Sequence, residues 1–175
     1  DSAAGNDIIT MGSGTDSITT GTGNDAITAT TNLTSADTLA AGAGTDTLTL
    51  NAATVDADFT NITNLETIKQ TTSAHAMTLT LGAASMASGL VTVTDGTGVT
   101  TLVVGAGHTS ALTVALSTGN DSIVGSASAA ALTITAAEDS ITATTTITGG
   151  SGSDTLTVTG NGTNGILAAE LANVT

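Results

Sequence analysis

The stretch Gly23-Asn24-Asp25-Ala26-Ile27 repeats two earlier segments of the chain, Gly5-Asn6-Asp7-Ile8-Ile9 and Gly14-Thr15-Asp16-Ser17-Ile18. In each segment a glycine precedes the aspartate by two residues, an aliphatic residue follows it by two, and the three aspartates are nine residues apart. A fixed period of this kind predicts a repeat protein in which each copy forms one small structural unit and neighbouring copies stack on each other.

Five further aspartates have the same spacing to an aliphatic residue, although several lack the glycines. These are Asp37, Asp46, Asp121, Asp139 and Asp154. The other four aspartates have no Ile or Leu at this position, and they are Asp1, Asp56, Asp58 and Asp95. Eight aspartates therefore belong to the pattern. Between Asp121 and Asp139 we interpret Ala130 and Leu132 as a degenerate copy that has kept its aliphatic residue and lost its aspartate.

One copy near the end of the chain has every feature of a known nonapeptide. Residues 149–157 read Gly-Gly-x-Gly-x-Asp-x-aliphatic-x, which resembles the repeat of the repeats-in-toxin (RTX) family. Residues 12–19 and 21–28 match the same pattern except for its first glycine. The resemblance implies an all-β fold, a right-handed parallel β-solenoid of the β-roll or β-helix type, in which calcium ions lie between stacked turns.

The residue types of this repeat suit calcium binding. Calcium takes about six to eight oxygen ligands; glycine lets backbone carbonyls line a tight turn, and aspartate adds a short anionic ligand. If each copy is half a coil, aspartates eighteen residues apart stack, which places Asp7 beside Asp25 and Asp121 beside Asp139. Carboxylates stacked about 5 Å apart repel each other without a cation, so we expect calcium binding to be coupled to folding.

We therefore predict a metal site at every aspartate of the pattern, with several calcium ions bound in all. The aspartates are Asp7, Asp16, Asp25, Asp37, Asp46, Asp121, Asp139 and Asp154. Backbone carbonyls would join them near Gly12, Gly14, Gly21, Gly23, Gly42, Gly44, Gly149, Gly150 and Gly152. The alternative, that Gly-x-Asp only forms turns, does not explain the aliphatic residue two positions later.

We divide the chain into four parts that we expect to form one continuous solenoid. Residues 1–50 and 117–160 are calcium-binding RTX-like blocks, residues 51–116 form irregular coils with few calcium ligands, and residues 161–175 are a terminal cap or a link to further sequence. In the middle part, alternating residues predict four short strands separated by glycine-rich turns. These strands are 78–81, 90–93, 101–104 and 111–114.

Segment 59–68 contains the one Phe of the chain and has Ile62, Leu65 and Ile68 at intervals of three. This spacing permits a helical turn, but we favour a solenoid coil with asparagines at its corners. The segment resembles those found between calcium blocks in bacterial surface-layer (S-layer) proteins, and the Ala- and Thr-rich composition without Cys is similar to that class. We interpret segment 166–171 as a short helix or cap.

Composition and charge exclude several kinds of partner. The chain has 175 residues, with one Lys or Arg against 15 Asp and Glu, and a formal net charge of −14. Nucleic-acid binding needs cationic side chains for phosphates and aromatic ones for bases, so we expect no nucleic-acid partner. No apolar run is long enough for membrane insertion. Low complexity is also typical of disordered chains, but 39% hydrophobic residues at regular offsets favour folding.

The sequence does not predict an enzyme. The two histidines, His75 and His108, have no second His or Cys at a metal-binding spacing, and we interpret each as a surface or turn residue. Paired carboxylates are present, but a glycosidase cleft would also need aromatic side chains to hold sugar.

Three functions remain open at this point. The first is a calcium-binding structural protein of a bacterial surface layer or extracellular filament, secreted and self-associating into a lattice, with a cell-surface polysaccharide reached through sequence outside this chain. The second is an RTX module of a secreted adhesin, protease or lipase, serving as a spacer or a secretion-linked folding unit. The third is ice binding, because 21–25 and 118–121 resemble the Thr-x-Asn rows of a calcium-dependent ice-binding solenoid.

Overall fold

Short β-strands separated by turns make up the chain in the computed structural model, which describes residues 4–29, 33–50, 52–70, 77–98 and 100–160. All strand pairings are parallel. One sheet has eight strands, β1 (Ile8–Met11), β3 (Ala26–Ala29), β5 (Thr47–Leu50), β7 (Thr67–Gln70), β9 (Thr92–Thr94), β11 (Leu112–Ala115), β13 (Leu132–Ala137) and β15 (Thr155–Thr159). A second has three strands, β2 (Ser17–Thr19), β4 (Thr38–Ala40) and β6 (Ile62–Thr63). A third has four strands, β8 (Met77–Leu81), β10 (Thr100–Val104), β12 (Ser122–Val124) and β14 (Thr146–Thr148).

The core is a stack of aliphatic side chains that point inward from successive strands, because alternate residues of a strand face opposite sides of the sheet. On the eight-stranded sheet this column contains Ile9, Ile27, Leu48, Ile68, Val93, Val114, Ile134 and Leu156. The middle six of these side chains are buried. The expectation of an all-β parallel solenoid is therefore confirmed, with about seven turns.

The turns of the solenoid differ in length. The step from Asp7 to Asp25 is 18 residues, as the repeat predicts, but the step from Asp25 to Asp46 is 21. The step is longer again from Thr67 to Thr92, where helix α1 (Ala83–Ala87) is inserted between β8 and β9. A 3-10 helix at Asp56–Phe59 packs against α1 and β8.

The middle of the chain continues the solenoid. Of the predicted strands, 78–81 lies within β8 and 101–104 within β10, while 111–114 and 90–93 overlap β11 and β9. Segment 59–68 contains β6 and the start of β7, and Asn64 (φ 56°) turns the corner between them, which confirms the interpretation as a coil. Segment 166–171 lies outside the described residues.

Two register predictions are wrong in the second half of the chain. Ser122 pairs with Thr146, 24 residues further on, so Thr145 and not Asp139 stacks on Asp121. Asp139 lies in a second 3-10 helix, Glu138–Ser140, which lengthens this turn.

The second error concerns the degenerate copy. Thr133 pairs with Thr155, which places Leu132 itself in the position of Asp154 and makes Ile134 the inward-facing aliphatic residue. Leu132 donates its backbone N–H to Oδ1 of Asp154 at 2.9 Å, as an aspartate in that position would.

Candidate metal centre

Four acidic side chains form a column at the start of the first four strands of the eight-stranded sheet. They are Asp7, Asp25, Asp46 and Glu66, and each stands one residue before its strand. The backbone N–H of Asp7 donates to Oδ1 of Asp25, that of Asp25 to Oδ1 of Asp46, and that of Asp46 to Oε2 of Glu66, each at 2.8 Å. The structure thus brings three of the predicted ligands together in successive coils.

Glu66 is a member of this column that the sequence pattern missed. Ile68 follows it by two residues, so the spacing to an aliphatic residue is the same as for the aspartates. The aspartate pattern leaves it out, whereas the same spacing applied to any carboxylate includes it.

The second carboxylate oxygens of Asp25 and Asp46 are buried without a hydrogen-bond partner. A buried charged oxygen without a donor destabilises a fold by roughly 1–3 kcal/mol or more. Burial raises the pKa of Asp46 above its ordinary value, and the negative charges of Asp25 and Glu66 act in the same direction, against the hydrogen bond from Asp25 N–H. Two unpartnered anionic oxygens in neighbouring coils are a place where a hard cation fits.

Glycines bring backbone carbonyls close to the same place. Gly42 (φ 96°) and Gly44 (φ 150°) lie in the turn before Asp46, where a Cβ would collide with the carbonyl oxygens of Gly21 and Gly23. Stacking this close is possible only without side chains. The oxygens present, from carboxylates and peptide carbonyls, are the ligands that calcium prefers, so Asp25, Asp46 and these turns would hold the ion. Bound calcium would supply the positive charge that offsets the repulsion within the column.

A second, shorter column lies at the start of the three-stranded sheet. The backbone N–H of Asp16 donates to Oδ1 of Asp37 at 2.9 Å, and Thr34 donates to Oδ2 of Asp37 from its backbone N–H and its hydroxyl. Burial acts to raise the pKa of Asp37, but these hydrogen bonds hold it below its ordinary value. Both carboxylate oxygens of Asp37 therefore have hydrogen-bond donors, unlike those of Asp25 and Asp46.

Asp154 occupies the same position in the last strand of the eight-stranded sheet. Its Oδ1 accepts the N–H of Leu132, and its Oδ2 accepts the N–H of Gly150 in its own turn at 2.8 Å. The carboxylate is exposed. The glycines of this turn pack so closely on the previous coil that a Cβ at Gly152 would collide with the carbonyl oxygen of Ala130.

Asp121 and Asp139, the remaining predicted ligands, are not neighbours in a column. Asp139 is exposed in its 3-10 helix, whereas Asp121 is fully buried before β12. Asp121 lies instead beside Asp95, a residue that the sequence pattern excluded. Burial raises the pKa of Asp121 to about 7, and the charge of Asp95 contributes.

His108, the histidine within the described ranges, does not form a metal-binding group with these carboxylates. His108 lies in the turn after β10, as expected, but it is buried and not at the surface. Burial lowers its pKa below the ordinary value. His75 lies outside the described residues. Within the described ranges, no group of three or more His, Asp or Glu side chains could hold a metal, so a bound ion would depend on backbone oxygens as well.

The fold and the acidic columns together define a parallel β-solenoid with carboxylate- and carbonyl-lined turns. A family model of the RTX calcium-binding nonapeptide repeat (4 copies) matches residues 2–29, 33–53 and 144–165. These stretches are RTX repeats, which confirms the resemblance seen in the sequence, and the chain is a calcium-binding repeat protein. Asp121, Asp139 and Glu66 lie outside the matched stretches.

Beyond the family model, no similar protein was found. Searches of curated proteins and of solved structures gave no match to this chain. Among the described residues, no helix has the length and apolar character needed to cross a membrane.

Proposed function

We propose that this chain is a non-catalytic, calcium-stabilised segment of a bacterial surface layer or extracellular filament, located outside the cell. The observation that carries the proposal is the acidic column of Asp7, Asp25, Asp46 and Glu66 along an unbroken eight-stranded sheet. Such a stack is stiff when a cation neutralises the column and is strained by repulsion when none is bound. A rod whose rigidity depends on calcium suits a structure that assembles where calcium is abundant.

The assembly experiment compares the purified chain in calcium, in magnesium and in chelator. We expect negative-stain electron microscopy to show ordered arrays or filaments in calcium only, and light scattering to report their disassembly on chelation. The double variant Asp25→Asn/Asp46→Asn should not assemble, while Asp58→Asn, which changes an acid outside the columns, should assemble as the parent does. A chain that folds in calcium yet stays monomeric at high concentration would instead support the RTX spacer or folding module.

An outward-facing threonine array supports ice binding as a second candidate. In four strands of the eight-stranded sheet, Thr-x-Thr sequences point two threonines away from the core: Thr47 and Thr49, Thr92 and Thr94, Thr133 and Thr135, and Thr155 and Thr157. Neighbouring strands are about 4.8 Å apart, and outward-facing residues are about 6.7 Å apart along a strand. Of these four strands only β13 and β15 are neighbours, whereas β7 with Lys69 and β11 with Ala115 lie between the others. The regular part of the array is therefore the pair β13 and β15, and hydroxyl and methyl groups at such regular spacing are suited to a crystalline surface.

The asparagine row gives this candidate less support. Asn24 donates its backbone N–H to Oδ1 of Asn6, but Thr45 occupies the next position of the row.

A measurement of thermal hysteresis in calcium tests the ice-binding candidate. We expect Thr133→Lys to abolish any activity, whereas Thr63→Lys, an exposed threonine of the three-stranded sheet, should leave it intact. Freezing-point behaviour equal to that of the buffer would exclude ice binding.

A further inference from the structure

A buried cluster of polar side chains lies in the middle of the solenoid, away from the matched RTX repeats. Gln70 ends β7, Asp95 follows β9, Thr100 begins β10 and Asp121 precedes β12. All four side chains are at most 6% exposed. Three successive coils therefore each send at least one polar side chain to the same interior position.

Direct contacts join the members of this cluster. The hydroxyl of Thr100 lies in hydrogen-bonding contact with both Oε1 of Gln70 and Oδ1 of Asp95. The backbone N–H of Thr100 donates to Oδ1 of Asp121 at 2.9 Å. Gly96 N–H donates to Oε1 of Gln70 at 3.3 Å, and Ser117 N–H reaches Oδ2 of Asp95 at 3.4 Å, which are long bonds.

The cluster has more acceptor oxygens than donors. The Thr100 hydroxyl carries one proton, so it cannot donate to Gln70 and Asp95 together. Oδ2 of Asp121 is buried and has no hydrogen-bond partner. The one basic side chain of the chain, Lys69, is exposed on the outer face of β7 and points away from the interior, where Gln70 points. The two carboxylates thus lie beside each other in the buried interior, and the described residues place no cationic side chain there.

We propose that Gln70, Asp95, Thr100 and Asp121 form an internal site for one calcium ion. Two carboxylates balance the charge of a divalent ion, and the amide and hydroxyl oxygens add neutral hard ligands. The site differs from the repeat sites because the sequence pattern excludes Asp95, Gln70 and Thr100, and because the matched stretches exclude all four residues. It goes beyond the proposed function, since it holds the irregular middle coils together without any glycine-rich repeat.

Protonation is the alternative way to satisfy this cluster. Burial raises the pKa of Asp95 and that of Asp121, the latter to about 7, so in the absence of metal one proton could be held between the two carboxyls near neutral pH. A proton and a calcium ion compete for the same oxygens. Counting bound calcium separates the two.

Native mass spectrometry of the full chain at neutral pH in calcium gives this count. We expect Asp95→Asn to bind one ion fewer than the parent, and Asp58→Asn, which changes an acid outside the cluster, to bind the same number as the parent. We also expect Asp95→Asn to gain less thermal stability than the parent from added calcium. An equal count in parent and Asp95→Asn overturns the internal site and leaves the repeat sites in place.

The double variant Asp25→Asn/Asp46→Asn separates failure here from failure of the proposed function. If it binds fewer ions while Asp95→Asn does not, calcium is confined to the repeats and the inference is wrong. If the parent binds no calcium at all, both the proposed function and the internal site are wrong. If Asp95→Asn does not fold, anomalous diffraction from crystals of the parent chain grown in calcium decides the matter: a peak between Asp95 and Asp121 is expected, and its absence overturns the site.

Discussion

The backbone N–H of Asp25 donates a 2.8 Å hydrogen bond to Oδ1 of Asp46, which stands in the same position one coil further along. The other carboxylate oxygen of each residue is buried without a partner. One oxygen of Asp46 therefore ties the coils together, and the second is left for a cation. This division explains how one residue type can serve both the backbone ladder and the metal.

The double variant Asp25→Asn/Asp46→Asn should be more stable than the parent in chelator, and its stability should depend less on calcium. Each Asn keeps an oxygen for the backbone N–H, but two negative charges are lost, which removes repulsion of about 3 kcal/mol at a separation of about 5 Å and an effective dielectric constant of about 20. Because the chain has no Trp or Tyr, thermal unfolding is followed by far-UV circular dichroism.

In chelator we expect the variant to melt higher than the parent. In calcium at about 100 times the dissociation constant, the parent should gain about 2.7 kcal/mol for each site and the variant less. Asp58→Asn serves as the charge control. An equal calcium gain in parent and double variant would show that calcium acts elsewhere.

Gly44→Ala should destabilise the solenoid strongly. Gly44 has φ of 150°, and a Cβ there would collide with the carbonyl oxygen of Gly23 in the previous coil. Backbone strain of about 1–3 kcal/mol adds to the loss of close stacking. Gly12→Ala is the matched control, because a Cβ at Gly12 meets nothing within 4 Å. Urea unfolding in calcium should show a loss of at least about 2 kcal/mol for the first variant and a change within about 1 kcal/mol for the second. Equal effects would mean that the coils are not stacked this closely.

The spacing from aspartate to aliphatic residue was enough to predict the strands that follow the aspartates, and the 18-residue interval predicted that Asp25 stacks on Asp7. The aliphatic residue two positions after the aspartate fixes which side of the strand faces inward. This places Ile27 and Leu48 in the core, and Asp25 and Asp46 at the starts of their strands. The same rule applied to glutamate would have added Glu66. Local spacing carries this information because each copy forms its turn and strand from consecutive residues.

Stacking between distant copies could not be predicted in the same way. It depends on the length of each inserted segment, and the 3-10 helix Glu138–Ser140 displaces Asp139 from the column that its spacing to Asp121 indicated. The contact between Asp95 and Asp121 was hidden for the same reason, since it joins turns of unrelated sequence. Only the register of the coils shows that these carboxylates meet.

Phe59→Ala should destabilise the middle coils more than any neighbouring truncation. Phe59 is the one aromatic residue of the chain, is 1% exposed, and ends the 3-10 helix that packs on α1 and β8. Truncating a buried Phe costs about 3–5 kcal/mol through lost burial and the remaining cavity. Val55→Ala, four residues earlier and 53% exposed, should change stability by less than about 0.5 kcal/mol. Denaturant unfolding in calcium measures both. A small effect at Phe59 would indicate that the middle coils unfold separately before the measured transition.

The carboxylate of Asp56 should make part of the stability depend on pH. Its Oδ1 accepts the backbone N–H groups of Gly82 and Ser85 at 2.6 and 2.9 Å, and its Oδ2 accepts that of Ala84 at 3.0 Å. Asp56 thus caps the start of α1 from the preceding coil. Burial acts to raise the pKa of Asp56, but these hydrogen bonds and one from the Ser85 side chain hold it below the ordinary value of 3.8.

A folded-state pKa below the unfolded value means that the contribution of Asp56 is fully present above pH 3.8 and is lost as the pH falls through the folded value. We expect Asp56→Asn to lower the free energy of unfolding by about 1–3 kcal/mol near neutral pH and by progressively less below pH 3.8. Burial lowers the pKa of nearby His108 and the charge of Asp56 opposes this, so both proteins are compared in a His108→Gln background, where Asp56 is the only titrating group that differs. Leu48→Ala, a core truncation without a titrating group, should give a constant difference across the same pH range. A constant difference for Asp56→Asn as well would show that its charge does not stabilise the start of α1.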